Sequence, residues 1–491
     1  MESMLFEQAK TIIGDNLDVV EKQVKCKDAT LTMLFYKSMI KEDYLIYGIL
    51  KPILDYGNNK DNENITLESL KNQIISTGII EKIEDEESVK KAITQNKILI
   101  FLDGQTDACL SVDIVDYPAR LPQEPPTSAV LKGPREGFVE DIKTNITLLR
   151  RRLATDKLVF KELSVGKYTQ TKVVISYIEG IASKAVVCSI KSRLEKINID
   201  GIIDAYYLIN FLENKRFSIF KQVGSTEKPD IVASKMLEGR VAIIVDNSPI
   251  VLTLPFLYME DIQSSNDYYT NNFYATFIRF IRLFGIFMSI IVPGFYLALR
   301  FYHYNLVPFK FLVTIDNATQ TIPLTPFLEI VFLLVLFQLL YEVSLRLPQY
   351  LGLATSIVGA LILGDTGVKA GLISPPGVLV IALSIISIYT VPDQEGQLNL
   401  LRAVFILLGG GFGLFGIISG VVFIVGYLNS LNNYGAPYLA PLSPLIRSDL
   451  KDAFYKANIT KMVDRPRSFK NKNKVRLKKW KKKFHQDNLA F

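Results

Sequence analysis

Hydrophobic and polar positions fall into two textures along the chain. Through residue 276 apolar runs are short and charges frequent, whereas long stretches beyond it lack charge altogether. Leu283 to Leu299 holds no charged residue and is bracketed by Arg279, Arg282 and Arg300, the pattern of a bilayer-spanning helix whose basic ends reach the headgroups. Pro293-Gly294 is expected to kink it. A second apolar run, Ile330 to Tyr341, reaches Leu347 if Glu342 and Arg346 are accommodated. Only Asp365 and Lys369 are charged between Leu347 and Pro392, and nothing is charged between Ala403 and Ile446. These lengths predict a helical membrane domain over 273–446, with spans at 278–300, 327–346, 375–391 and 402–428 and a re-entrant or fifth segment at 352–373.

The first 272 residues predict an α/β region built from a repeat. Setting Thr30–Ile40 (TLTMLFYKSMI) above Thr171–Ile181 (TKVVISYIEGI) aligns Thr, Tyr and Ile at an offset of 141. Each half opens with a strand, passes through amphipathic helices (42–55; 183–214), and reaches a second strand that ends in Asp103-Gly104 or Asp246-Asn247, both turn formers. An apolar strand then follows (Ala108–Val115; Pro249–Pro255). The expected subdomains are 1–120 and 156–272, separated by a connector and helix over 121–155. In that helix Ile142, Ile146, Leu149 and Leu153 share one face, while Arg150, Arg151 and Arg152 project elsewhere, as a solvated basic face or as a subunit or lipid contact.

Composition strengthens the membrane reading. The 491 residues are 49% hydrophobic, 21% charged and have a mean hydropathy of +0.23, too apolar for an ordinary soluble enzyme. Two His and three Cys, widely scattered, exclude a Cys/His metal cluster, a disulfide framework and a His-centred triad. Asp103 and Asp246 have no neighbouring base or nucleophile, so no enzyme and no cofactor are expected. Of the 56 basic residues, 15 lie in 447–491 against four Asp, which makes that segment a basic tail. The first residues lack a basic stretch followed by an apolar one, so both ends of the chain are expected in the cytosol, which demands an even number of crossings: four plus a re-entrant segment, or six.

Polar groups inside apolar spans are the independent functional clue, because each is costly in lipid. Gln338, Glu342 and Arg346 recur every four residues and form one helical stripe, with Glu329 on the opposite face. The stripe suits either a pore or subunit contact in which Glu342 attracts cations, or an ion pair that neutralises itself. Asp365 and Lys369, one turn apart among glycines, suit a packed pair or a gate. Gly409-Gly410-Gly411-Phe412-Gly413 is expected to serve helix packing or the flexing of a gating helix. In the tail, Lys478, Lys479, Trp480 and Lys481 suit contact with anionic lipid better than nucleic acid.

Several long segments then bring a family into view: GPREGFVEDIKTNITLLRRRL (133–153), VAIIVDNSPIVLTLP (241–255), FIRFIRLFGIF (277–287) and IVGALILGDTGVKAGLISPPGVLVIALSII (357–386). Together and in this order they resemble the A subunits of spore germinant receptors, the GerA family of endospore-forming bacteria. The resemblance implies a multi-pass protein of the spore inner membrane, acting with a permease-like B subunit and a lipoprotein C subunit. It implies a homo-oligomer that conducts monovalent cations when the complex senses a nutrient. Two alternatives stay open: a non-conducting scaffold that couples the permease-like subunit to another channel, and the A-like paralogue found with the dipicolinate channel proteins.

Overall fold

The computed structural model describes residues 4–13, 18–26, 29–40, 42–59, 65–103, 108–114, 132–215, 217–347, 364–469 and 471–477. Most of the connector, part of the 352–373 segment, and Lys478, Lys479, Trp480 and Lys481 lie outside them.

Two α/β units come first. Unit one has helices α1 (Met4–Ile13), α2 (Lys51–Asn58) and α3 (Glu86–Thr94) around strands β1 (Val19–Cys26), β2 (Ala29–Tyr36), β3 (Ile79–Ile83), β4 (Ile98–Leu102) and β5 (Cys109–Asp113). Unit two has α4 (Ile142–Arg152), α5 (Lys184–Glu195), α6 (Ala205–Leu212) and α7 (Pro229–Leu237) around β6 (Leu158–Val165), β7 (Thr171–Ile178), β8 (Gly224–Thr226), β9 (Val241–Val245) and β10 (Val251–Leu254). The sheets have matching orders, β1-β2-β4-β5-β3 and β6-β7-β9-β10-β8. Alternate residues of each central strand serve opposite cores. Leu31, Met33, Ile98 and Ile100 pack toward α2, whereas Leu34, Leu99 and Phe101 pack toward α1 and α3. Val173, Ile175 and Ile243 pack toward α5 and α6, and Val174 and Ile244 toward α4 and α7. Each unit is therefore a sheet between two helical layers.

The repeat is real, but its offset is not 141. Leu31 faces Leu102 across β2 and β4, and Val173 faces Val245 across β7 and β9, so Leu31 corresponds to Val173 and the offset in this strand is 142. An offset of 141 would equate buried Leu31 with exposed Lys172, because a slip of one residue exchanges the faces of a strand. α4, grouped above with the connector, packs Ile142, Ile146 and Leu149 into the core of unit two. It stands to its sheet as α1 does to the first.

The units are riveted by Arg150. Its side chain is 2% exposed, its Nε lies 3.1 Å from Asp18 Oδ2, and its guanidinium stacks 3.8 Å from the Tyr36 ring. Ser38 completes the Asp18 carboxylate through its backbone N–H (2.9 Å) and hydroxyl (2.6 Å). The first arginine of the basic run is thus neither a solvated face nor a lipid contact, whereas Arg151 stays largely exposed and pairs with Glu136 at 3.3 Å.

The helical half contains α8 (Asn272–Phe301), α9 (Phe309–Thr319), α10 (Pro326–Arg346), α11 (Pro375–Ile388) and α12 (Glu395–Ser430). By length and composition α8, α10 and α12 can cross a membrane. α8 continues through Pro293 and turns a row of phenylalanines, Phe273, Phe277, Phe280, Phe284 and Phe287, outward. The expected span at 375–391 is a helix of 14 residues, about 21 Å long at 1.5 Å per residue and short of the roughly 30 Å hydrocarbon layer. α10 and α11 run in the same direction: Glu329 meets Ser374 at one end, and Tyr341 meets Tyr389 and Glu395 at the other.

The single span expected at 402–428 is two. At Gly413 the backbone takes φ 62° and ψ −146°, a region open to glycine, and the chain doubles back. Leu401 and Leu428 share one cluster, and a Cβ on Gly420 would touch the Phe405 ring at 3.2 Å. In an unbroken helix Leu401 and Leu428 would stand about 40 Å apart. The glycines explain the tight fit, since a Cβ on Gly294 or Gly409 would collide with the facing backbone of the other helix. The tip lies at the far end of α8, where Tyr302 donates to the Gly411 carbonyl at 2.7 Å.

The chain beyond 447 does not behave as a solvated tail over its described part. Ser468, Phe469 and Asn471 are buried, Arg465 donates to the Leu237 carbonyl at 2.8 Å, and Phe469 lies under Arg240. It docks on unit two at the end of the bundle where α8 begins.

Candidate functional site

The site best defined by geometry is the seam between unit two and the helical bundle. The chain leaves β10 through Phe256–Ile262, and Glu260 sits there 5% exposed, 2.9 Å from Lys235 of α7 and in contact with Arg240. Burial pushes the Glu260 carboxyl up, but Arg240 and Lys235 outweigh it and hold the group below the usual carboxylate range. Its neighbour Asp261, 4% exposed, has only Lys221 at 3.8 Å and the Gln394 amide at 3.0 Å. Burial dominates there and pushes its pKa up to about 6.

About two turns into α8, Arg279 is 1% exposed. Its Nε reaches Asp267 Oδ2 at 3.0 Å, and its Nη2 reaches Asp452 Oδ1 at 3.2 Å. Arg282 makes a second link to Asp267 at 2.8 Å. Tyr268 donates to Asp452 at 3.0 Å, and burial raises the pKa of that carboxyl. One buried network therefore joins the end of unit two, the first long apolar helix and the C-terminal segment. These arginines were legible in the sequence only as headgroup anchors.

The residues singled out in the apolar half lie elsewhere. Gln338, Glu342 and Arg346 project from the outer surface of α10. Glu342 and Arg346 pair at 2.7 Å with 51% and 79% of their side chains exposed, at the end of α10 that approaches α12. Asp365 and Lys369 also pair, at 2.6 Å, and are exposed. Neither pair contacts the seam.

The buried polar groups of the bundle are others. Glu329 is 1% exposed and accepts from the Ser374 backbone N–H at the start of α11, where a carboxylate meets a helix N-terminus. Arg402, 1% exposed, donates to Asn399 at 2.6 Å and to Ser384 at 3.3 Å. Among the described residues no group of His, Cys, Asp or Glu has the arrangement of a metal site. Asp246 lies in a turn and accepts from the N–H of Ile142 at the start of α4, a capping position.

Two repeated α/β units fastened to a bundle of apolar helices, three of them long and apolar enough to cross a membrane, define the class: a membrane-associated protein with a tandem-repeat N-terminal region. Residues 7–468 match the model of the Bacillus/Clostridium GerA spore germination protein family, and the chain belongs to that family. Spore germination protein KA of Bacillus subtilis (strain 168) is 32% identical over 483 residues, covering 96% of this chain and 87% of that protein. Spore germination protein XA of Bacillus anthracis is 32% identical over 398 residues, 81% of each chain. Spore germination protein A1 of Bacillus subtilis (strain 168) is 31% identical over 431 residues, 87% of this chain and 88% of the relative. A crystal structure of the N-terminal domain of the A subunit of the Bacillus megaterium spore germinant receptor GerK3 aligns at a TM-score of 0.40 and 25% identity, over 52% of this chain and 94% of that one.

Proposed function

We propose that this chain is the A subunit of a nutrient-responsive germinant receptor, a non-enzymatic protein that oligomerises and passes monovalent cations across the spore inner membrane. Its partners in this reading are a permease-like B subunit and a lipoprotein C subunit, with both of its own termini on the core side. Membership in a family of spore germination proteins supports the role in germination. The observation that carries the channel reading is the outward stripe on α10. Gln338, Glu342 and Arg346 stand among the exposed apolar side chains Val335, Leu339 and Val343, and charged groups at that depth favour water or another subunit over lipid. Repeated around an oligomer axis, Glu342 forms a ring at the mouth nearest the α/β units.

The close Glu342–Arg346 pair favours a second reading, a non-conducting scaffold in which the stripe only seats a neighbour. Potassium flux from loaded liposomes separates the two, comparing wild type with Glu342→Gln, with and without co-expressed partner subunits. The channel reading expects nutrient-dependent flux whose cation preference changes with the substitution. An intact, nutrient-responsive complex that leaks no potassium leaves the scaffold.

A further inference from the structure

The seam encloses a cavity of about 490 Å³, within the range of pockets that hold small organic molecules. Its walls come from four places: α6 supplies Tyr206, β8 and α7 supply Ser225 and Asp230, the segment after β10 supplies Asp261 and Tyr269, and the turn before α12 supplies Asp393. An occupant would therefore touch both unit two and the helical bundle.

The charge of the lining is lopsided. Six carboxylates, Glu227, Asp230, Glu238, Glu260, Asp261 and Asp393, face three cations, Lys221, Lys235 and Arg240. The cations are already engaged: Lys235 and Arg240 with Glu260, Arg240 also with Glu238 at 3.2 Å, and Lys221 opposite Asp261. Glu227, Asp230 and Asp393 are left without a cation from the lining, although Lys228 lies 3.8 Å behind Asp230. Asp230 accepts from the Tyr269 hydroxyl at 3.1 Å through Oδ2, while its Oδ1 is buried with no hydrogen-bond donor. Asp230 lines the cavity, so a positively charged group of an occupant would meet its negative charge there. Phe256, Tyr206, Tyr268 and Tyr269 add aromatic surface, the other wall that attracts a positive charge.

We infer that the cavity between unit two and the helical bundle binds a small organic cation through a protonated amine directed at Asp230. Serine hydroxyls at 225, 234, 264 and 265 supply further acceptors around the amine. Among the described residues no three of these carboxylates converge as metal ligands would, so the site suits an amine rather than a metal ion. The site stands apart from the outward stripe on α10, so it holds whether or not the chain conducts ions.

The test uses the full chain in detergent micelles and three isosteric probes, butylammonium, butanol and butyrate, followed by ligand-observed saturation-transfer NMR and by thermal midpoint. The expected result is saturation transfer and a raised midpoint for butylammonium, with at least tenfold weaker binding of the neutral and anionic probes. Asp230→Asn should weaken butylammonium at least tenfold. Asp393→Asn, an exposed change that leaves the fold untouched, should weaken it by a smaller factor. Butyrate or butanol binding as tightly as butylammonium, absence of butylammonium binding up to tens of millimolar, or equal affinity in both variants would overturn the inference.

Discussion

Replacing Arg279 with methionine tests the claim that a buried network couples unit two to the first long helix. The guanidinium is almost wholly buried, and besides its two carboxylates it donates to the backbone carbonyls of Asp452 and Ala453. Methionine keeps most of the volume, so the loss is electrostatic. Removing one member of a buried ion pair costs about 3–5 kcal/mol when the partner charge is stranded. Here neither partner is wholly stranded, since Asp267 keeps Arg282 at 2.8 Å and Asp452 keeps the Tyr268 hydroxyl at 3.0 Å. The lower end, about 3 kcal/mol, is therefore expected. That corresponds to roughly 150-fold faster hydrogen exchange of amides that open with the network. The assay is exchange mass spectrometry of the purified chain in micelles, read over residues 450–457 and 265–275. Both peptides should lose protection together while the β9 and β10 strands keep theirs. Exchange within about threefold of wild type, or loss confined to one peptide, would refute the reasoning that Arg279 holds three segments at once.

Other outcomes follow from the same geometry. Cysteines at Leu401 and Leu428 should crosslink in membranes under mild oxidation, whereas a straight α12 would hold them about 40 Å apart and give no product. A double-mutant cycle of Arg150→Met and Asp18→Asn should show coupling of about 1.5 kcal/mol or more, and additive effects would mean that the inter-unit ion pair contributes nothing. Asp261 titrates near 6 when folded, above the ordinary aspartate, so the stability its burial allows is present at low pH and is lost as pH rises through about 6. Asp261→Asn should therefore match wild type near pH 4 and exceed it by at most about 3 kcal/mol at pH 7, with Lys221, Glu260, Asp393 and Gln394 as the groups facing it; a gap that is constant with pH would contradict this.

The soluble half was legible in its plan because strands with one face on each of two helical layers impose alternation that a repeat preserves. Its register was not. The match between Thr30 and Thr171 is chemical coincidence, and only the pairing of Leu31 with Leu102 and Val173 with Val245 shows which face each residue takes. α4 was misplaced for a similar reason: a helical face is visible in Ile142, Ile146 and Leu149, but which sheet receives it is a long-range fact.

In the apolar half it was the packed face that the sequence did not show, for a different reason. Lipid and protein interior are both apolar, so a spanning helix shows hydrophobic residues on every side and its period does not separate the buried face from the outer one. Gln338, Glu342 and Arg346 drew notice because they form a stripe, and the stripe lies outside; Glu329, on the opposite face, is the carboxylate that packs. The available signal was the partner, not the helix. Ser374 to Gly377 presents a helix start with small side chains, and a Cβ on Gly377 would collide with the Glu329 carboxylate at 2.6 Å. Small residues, rather than hydrophobic ones, mark where helices meet in this half, as Gly294 and Gly409 do between α8 and α12. By that rule Gly413 is the exception that changes the topology. It faces no helix across a tight contact but turns the chain, and so converts one expected span into an antiparallel pair that returns to the same end as the network around Arg279.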